Sequence, residues 1–111
     1  MDITEFNETI ETQFDKCKGL LFTKGNEYAL TSDRLAYFKK AAALQNRPPS
    51  GALFGMLAKH IVSLAEMCEY PIERFSKERW SEKITDSMNY LALLWALVTD
   101  EENQEASHGQ N

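Results

Sequence analysis

The sequence predicts an all-α protein, a compact helical bundle of three longer helices and one short helix. Three observations carry that expectation. Apolar residues recur at steps of three and four through four separate segments, the spacing of one helix face. No stretch alternates with period two beside hairpin-type turn residues. The chain has 111 residues, 43% hydrophobic and 26% charged, enough apolar content to fold and room for one modest core.

The first segment spans about Asp2 to Phe22. Ile3, Phe6, Ile10, Phe14, Cys17 and Leu21 fall on one stripe, with Glu5, Glu8, Glu11 and Asp15 on the far side. Four acids on one helix could make a metal-binding face. Because they point away from the stripe, a solvated face accounts for them. Lys24-Gly25-Asn26 supplies a glycine stop, a loop KGNEYALT follows, and Ser32 is the expected N-cap of a short helix over Asp33 to Gln45. Leu35, Phe38 and Ala42 form the stripe of that helix, and Asn46-Arg47-Pro48-Pro49 ends it. The third helix, about Ser50 to Tyr70, carries Leu53, Phe54, Leu57, Ile61, Leu64 and Cys68 on its main stripe.

Ser76 caps the fourth helix, expected over Lys77 to Thr99. Trp80, Ile84, Met88, Leu91, Leu94, Trp95 and Val98 form one stripe. A second face carries Glu82, Asp86 and Asn89 and then Leu93 and Leu97. That face is greasy in its C-terminal half, so it should be covered, by the other helices or by a second copy of the chain. Residues 1–100 are expected to form a single all-α domain, and residues 101–111 an acidic flexible tail.

The formal charge of −5 and pI near 5.0 argue against non-specific nucleic-acid binding, which needs clustered Lys and Arg. No basic segment followed by an apolar run marks a secretory leader, and no apolar run approaches the ~20 residues of a membrane span. The expected location is cytoplasmic, with Cys17 and Cys68 as two buried reduced thiols. No Walker loop, G-x-S-x-G or H-E-x-x-H motif is present.

Three strings could carry chemistry. In Trp80–Leu91, Glu82 and Asp86 neighbour each other at i, i+4, a repulsion of about 0.2–0.5 kcal/mol unless a cation sits between them. Mg²⁺ is one such cation. Arg79 and Lys83, each three residues before one of the acids, could equally supply a salt-bridge lattice. In Met56–Glu66, His60 lies at the edge of the buried stripe, where a satisfied core histidine is the commoner finding. Lys59 beside it could meet a phosphate or pair with a carboxylate of the fourth helix. In Lys24–Arg34, basic residues near a helix start could hold an anion.

The order Lys24-x-x-Glu27-Tyr28, Asp33-Arg34-Leu35-x-x-Phe38, Met56-x-x-Lys59-His60-x-x-Ser63 and Trp80-x-Glu82-Lys83-x-x-Asp86-x-x-Asn89-Tyr90-Leu91 resembles small all-α proteins encoded by bacteriophages and prophages. These in turn resemble, distantly, the MazG-type nucleotide pyrophosphohydrolases. In those enzymes Mg²⁺ is held by Glu-Glu-x-x-Glu on one helix and Glu-x-x-Asp on the next. Asp86 matches the aspartate, while Lys83 stands at the glutamate with Glu82 one residue away. Lys59, His60 and Ser63 occupy the helix of the first motif, with Glu66 the nearby acid. Fewer carboxylates hold a hard dication less tightly, which ranks binding ahead of hydrolysis.

The resemblance implies a nucleotide or phosphate binder without efficient catalysis, used to sequester or sense its ligand. Lys59, His60, Lys83, Asp86 and Tyr90 are the candidate ligand-binding residues, with Trp80 a further aromatic face. Two alternatives stand beside it. One is a helical interaction module or inhibitor of a host protein. The other is a Mg²⁺-dependent nucleoside triphosphate pyrophosphohydrolase with Glu66, Glu82 and Asp86 as metal ligands. A homo-oligomer is expected under all three.

Overall fold

In the structure, a computed structural model, the backbone is described for residues 1–28 and 33–109 and the side chains for residues 1–23 and 33–105. Among the described residues there is no strand, and the architecture is all-α: α1 (Ile3–Tyr28), α2 (Ala36–Gln45), α3 (Pro49–Met67) and α4 (Lys77–Gly109), with a 3₁₀ turn at Ile72–Arg74. Nor, among the described residues, is any helix long and apolar enough to cross a membrane.

Local chemistry fixes most helix ends. Asp2 Oδ1 accepts from the Glu5 N–H at 2.8 Å while Glu5 Oε2 accepts from the Asp2 N–H at 3.2 Å, a capping box that satisfies two otherwise orphaned donors. Ser76 Oγ accepts from the Arg79 N–H at 3.1 Å, the cap the sequence predicts for α4. α2 ends on Asn46 at φ 54°. The Arg47 N–H bonds the Ala42 carbonyl at 3.0 Å and the Asn46 N–H the Ala43 carbonyl at 3.2 Å, the paired bonds of a Schellman motif. Pro49 opens α3 at a position where its missing N–H costs nothing.

Two helices outrun their expected ends. α1 continues through Gly25 to Tyr28, so Lys24-Gly25-Asn26 is not its stop. A helical glycine costs only about 1 kcal/mol against alanine, which the flanking turns can absorb. α4 runs ten residues past Thr99 to Gly109, through the segment expected to be a tail. α2 starts later than expected. Ser32 lies outside the described residues, and Asp33 Oδ1 accepts from the Leu35 N–H at 2.9 Å to set the turn that precedes Ala36.

α3 and α4 form an antiparallel hairpin, the main contact of the fold, and α2 lies across α3. Leu35, Leu53 and Leu97 make the core cluster, walled by Phe38, Tyr90, Leu93 and Leu94. α1 meets α4 alone among the long contacts, running in the same direction. Gln13 Nε2 donates to Thr85 Oγ1 at 2.9 Å and Cys17 Sγ lies 3.8 Å from Met88 Sδ. Lys16 Nζ bonds Ser81 Oγ. Thr85 is 1% exposed, so the Gln13 bond satisfies a hydroxyl that burial would otherwise penalise.

Which faces are buried departs from the sequence expectation. The second face of α4 is the covered one, with Leu97 fully buried, and the helices of the same chain cover it. The greasier stripe is partly open, since Ile84, Leu91 and Trp95 are exposed. Ile3, Phe6, Ile10 and Phe14 of α1 are exposed too, and only Cys17 of its stripe is buried. Cys68, expected to be buried, is exposed.

Candidate functional site

A cavity of about 320 Å³ opens where the C-terminal half of α1, the start of α2 and the middles of α3 and α4 approach each other. Leu21, Arg34, Tyr37, Phe38, Met56, His60, Asp86, Asn89, Tyr90 and Leu93 border it. Helical spacing explains the roster. Asp86, Asn89, Tyr90 and Leu93 stand at i, i+3, i+4 and i+7 on one face of α4, and Met56 and His60 at i, i+4 on α3. The antiparallel hairpin sets His60 level with Tyr90, their ring centroids 5.0 Å apart and their planes inclined by 33°.

Arg34 enters from the turn before α2. Its Nη2 donates to the Leu21 carbonyl at 3.3 Å, which ties the turn to α1 and leaves the rest of the guanidinium fork for other acceptors. His60 Nδ1 is buried and has no hydrogen-bond partner among the described residues. A buried orphan of this kind costs about 1–3 kcal/mol until something pairs with it. Asp86 is half-buried and also borders a second groove, of about 330 Å³, with Lys16, Ser81 and Glu82.

The structure therefore brings His60, Asp86 and Tyr90 together and leaves out the two lysines. Lys59 is exposed and points off the cavity, and Lys83 does not border it. Lys59 sits one residue before His60, an offset of ~100° around the helix, and Lys83 sits three before Asp86, ~60° round from it and about 4.5 Å nearer the start of α4. Trp80 is elsewhere too, packed edge-on against Phe75 at 6.4 Å. The cation of the site is Arg34, from a string whose anion-holding potential the sequence already suggests. Asn89 and Tyr37 join it.

The acids do not gather. Among the described residues no three His, Cys, Asp or Glu side chains are grouped as ligands of a metal ion, so Glu66, Glu82 and Asp86 do not form one set. The salt-bridge lattice fails as well. Among the described residues the ion pairs are Lys39 to Asp33 at 2.7 Å and Lys39 to Asp100 at 2.9 Å. Neither Arg79 nor Lys83 closes on the Glu82–Asp86 pair, and Lys59 meets no carboxylate of α4. Lys39 lies away from the cavity, where it pins α2 to α4 and holds the Asp33 carboxyl below its ordinary range through their hydrogen bond.

The site thus combines one arginine, one histidine, one carboxylate, one carboxamide and three aromatic rings. It can hold a ligand that carries an anionic group, a flat ring and hydrogen-bond donors. No protein-family model, curated protein sequence or solved structure matches this chain.

Proposed function

We propose that the chain binds a nucleotide, or a closely related phosphate-bearing ligand, in the cavity between α1, α2, α3 and α4, and holds it without efficient catalysis. One observation carries the reading: Arg34, His60, Asp86 and Asn89 border the same cavity as the rings of Tyr37, Phe38 and Tyr90. Arginine matches phosphate oxygens through its planar fork. Asp86 would repel a phosphate but accepts from a ribose hydroxyl or a base amino group, so it suits the other end of a nucleotide. The tilted His60–Tyr90 pair offers a face to a base. A simple phosphate would use the arginine and leave the carboxylate opposed to it.

The test is a thermal-shift panel of nucleoside mono-, di- and triphosphates, nucleosides and orthophosphate. A specific nucleotide should raise the melting temperature by several degrees, as it would at about 100 times its Kd. That shift should vanish in Arg34→Gln and in Asp86→Asn and survive in Lys59→Ala. An unchanged shift in both cavity variants, or none over the whole panel, rejects the site. Pyrophosphate release with Mg²⁺ over the same panel separates hydrolysis from holding.

The interaction-module reading draws on a different feature, the apolar surface left open on α1, α3 and α4. The two readings use opposite sides of α4 and are compatible.

A further inference from the structure

A broad apolar surface of this chain lies across α4 from the cavity. Ile84, Leu91 and Trp95 are exposed, Trp95 at 71%. At ~100° per residue they share one line along α4, about half a turn from Leu93 and Leu97. On α3, Phe54 and Ile61 are exposed; they stand seven residues apart, on the side away from Met56 and the cavity. On α1, Ile3 at 77%, Phe6 and Phe14 continue the surface. Ile10 and Ile84 border one groove of about 950 Å³ together with Trp80, Phe75 and Ile72. The three stripes are therefore one face.

We propose that a second copy of this chain covers that face, so that two open layers of α1, α4 and α3 close on each other about a two-fold axis. The area argues for it. A folded monomer of 12.7 kDa exposes about 6,200 Å² by the usual size scaling. This chain exposes 8400 Å². Its radius of gyration is 17.0 Å, against about 13 Å for a compact chain of this length. The polar end of α4 accounts for part of the surplus, and the exposed isoleucines, phenylalanines and Trp95 account for the part that water opposes. The surplus of about 2,000 Å² per chain is more than twice the ~800 Å² per partner that an ordinary interface buries, so less than half of it need be apolar face to close a stable contact.

The fold itself selects the occupant. Among the described residues few apolar side chains are fully buried, the larger ones being Leu53, Met67 and Leu97. A core that small gains from a cover over the open face, and a second copy is present whenever the chain is made. A two-fold contact lays the same apolar patch on itself and requires no matching charge pattern on a partner.

The test uses the full chain over about 1–100 μM. Sedimentation equilibrium should give twice the chain mass, and the melting temperature should rise by about 5 °C across that range. Trp80→Phe leaves Trp95 as the lone indole, which should be shielded from acrylamide at high concentration and become quenchable on dilution. Leu91→Glu should abolish association, while Leu44→Glu, on exposed α2 surface, should leave it intact. If Leu91→Glu fails to fold, the concentration dependence and the Trp95 quenching decide alone. A monomer with a concentration-independent melt and a freely quenched Trp95 overturns the proposal. So does association that a folded Leu91→Glu variant retains.

Discussion

Replacing Leu97 by alanine tests the packing account most directly. Leu97 is 0% exposed and touches Leu35 and Leu53, with Phe38, Tyr90, Leu93 and Leu94 around them. The change removes buried methyl groups and leaves a cavity, a combination that costs about 2–5 kcal/mol at such sites. The neighbours come from three directions and are anchored elsewhere. Lys39 ties α2 to Asp100, and Ser50 at the start of α3 bonds Glu101. They cannot slide inward to fill the space, which puts the cost in the middle of the range, about 3–4 kcal/mol. At about 4 °C per kcal/mol for a domain of this size, the melting temperature should fall by roughly 12–16 °C. Urea unfolding followed by circular dichroism, at one fixed protein concentration, measures it, with the slope unchanged if the folded state keeps its shape. Leu44→Ala is the control. Leu44 is 90% exposed on α2 and should shift stability by no more than about 0.5 kcal/mol. A Leu97→Ala cost below about 1 kcal/mol, or a Leu44→Ala cost equal to it, would refute the core as described.

Three further outcomes are expected. Asp33 is held below its ordinary 3.8 by the hydrogen bonds from Lys39 and the Leu35 N–H. Its contribution is therefore present above pH ~4 and lost as pH falls through the lowered value. Lys39 is held above its ordinary 10.5 by Asp33 and Asp100, so its contribution is present at neutral pH and lost as pH rises past that value. Stability profiles of Asp33→Asn and Lys39→Met should be flatter than the wild type at the acid and alkaline ends respectively. Glu101 accepts from the Ser50 N–H at 3.1 Å and from Ser50 Oγ at 3.3 Å, placing a carboxylate on the first turn of α3. Glu101→Ala should cost about 1 kcal/mol by denaturant titration, and no effect would mean that the segment beyond Asp100 does not dock. Cys17 is buried and Cys68 exposed, so a thiol reagent should modify one cysteine quickly in the native chain and both only after unfolding.

Helix number, type and most caps were legible because each depends on residues within a turn of one another. Ser76 before Lys77 and the Asn46–Pro49 stop both act where the spacing puts them. Gly25 misled for the same reason. A glycine marks a helix end only if the chain beyond it has somewhere better to go, which neighbours in sequence do not reveal. The polar run after Asp100 misled in the opposite way. It lacks an apolar stripe, yet Glu101 finds Ser50 on another helix, and that bond is invisible along the chain. His60, Asp86 and Tyr90 border the cavity, while Lys59 and Lys83 do not. A string of chemically promising residues on a helix covers every direction around it, so roughly one in three or four can face a given neighbour. The Asp86, Asn89 and Leu93 face of α4 was already visible as a periodic set, and read that way it points to Asn89 before Lys83.

The harder lesson concerns α4. Its stripe from Trp80 to Val98 is the greasier of its two faces, and ranking by hydrophobicity buries it first. The chain buries Leu97, packs Leu93 half-buried beside it, and leaves Leu91 and Trp95 open. The reason is a shortage of covering elements. α2 has ten residues and spans only the cavity side of the α3–α4 hairpin. α1 is held at the flank of α4 by the polar contacts of Gln13 and Lys16, with its own apolar side turned outward. A helix with two apolar faces in a four-helix chain requires neighbours on both sides, and each of those neighbours has a face of its own to hide. Counting faces against helices leaves one apolar face uncovered within the chain. Which face stays open follows from where α1 is held on the flank of α4, and Thr85, buried and bonded to Gln13, is one of the points that hold it there.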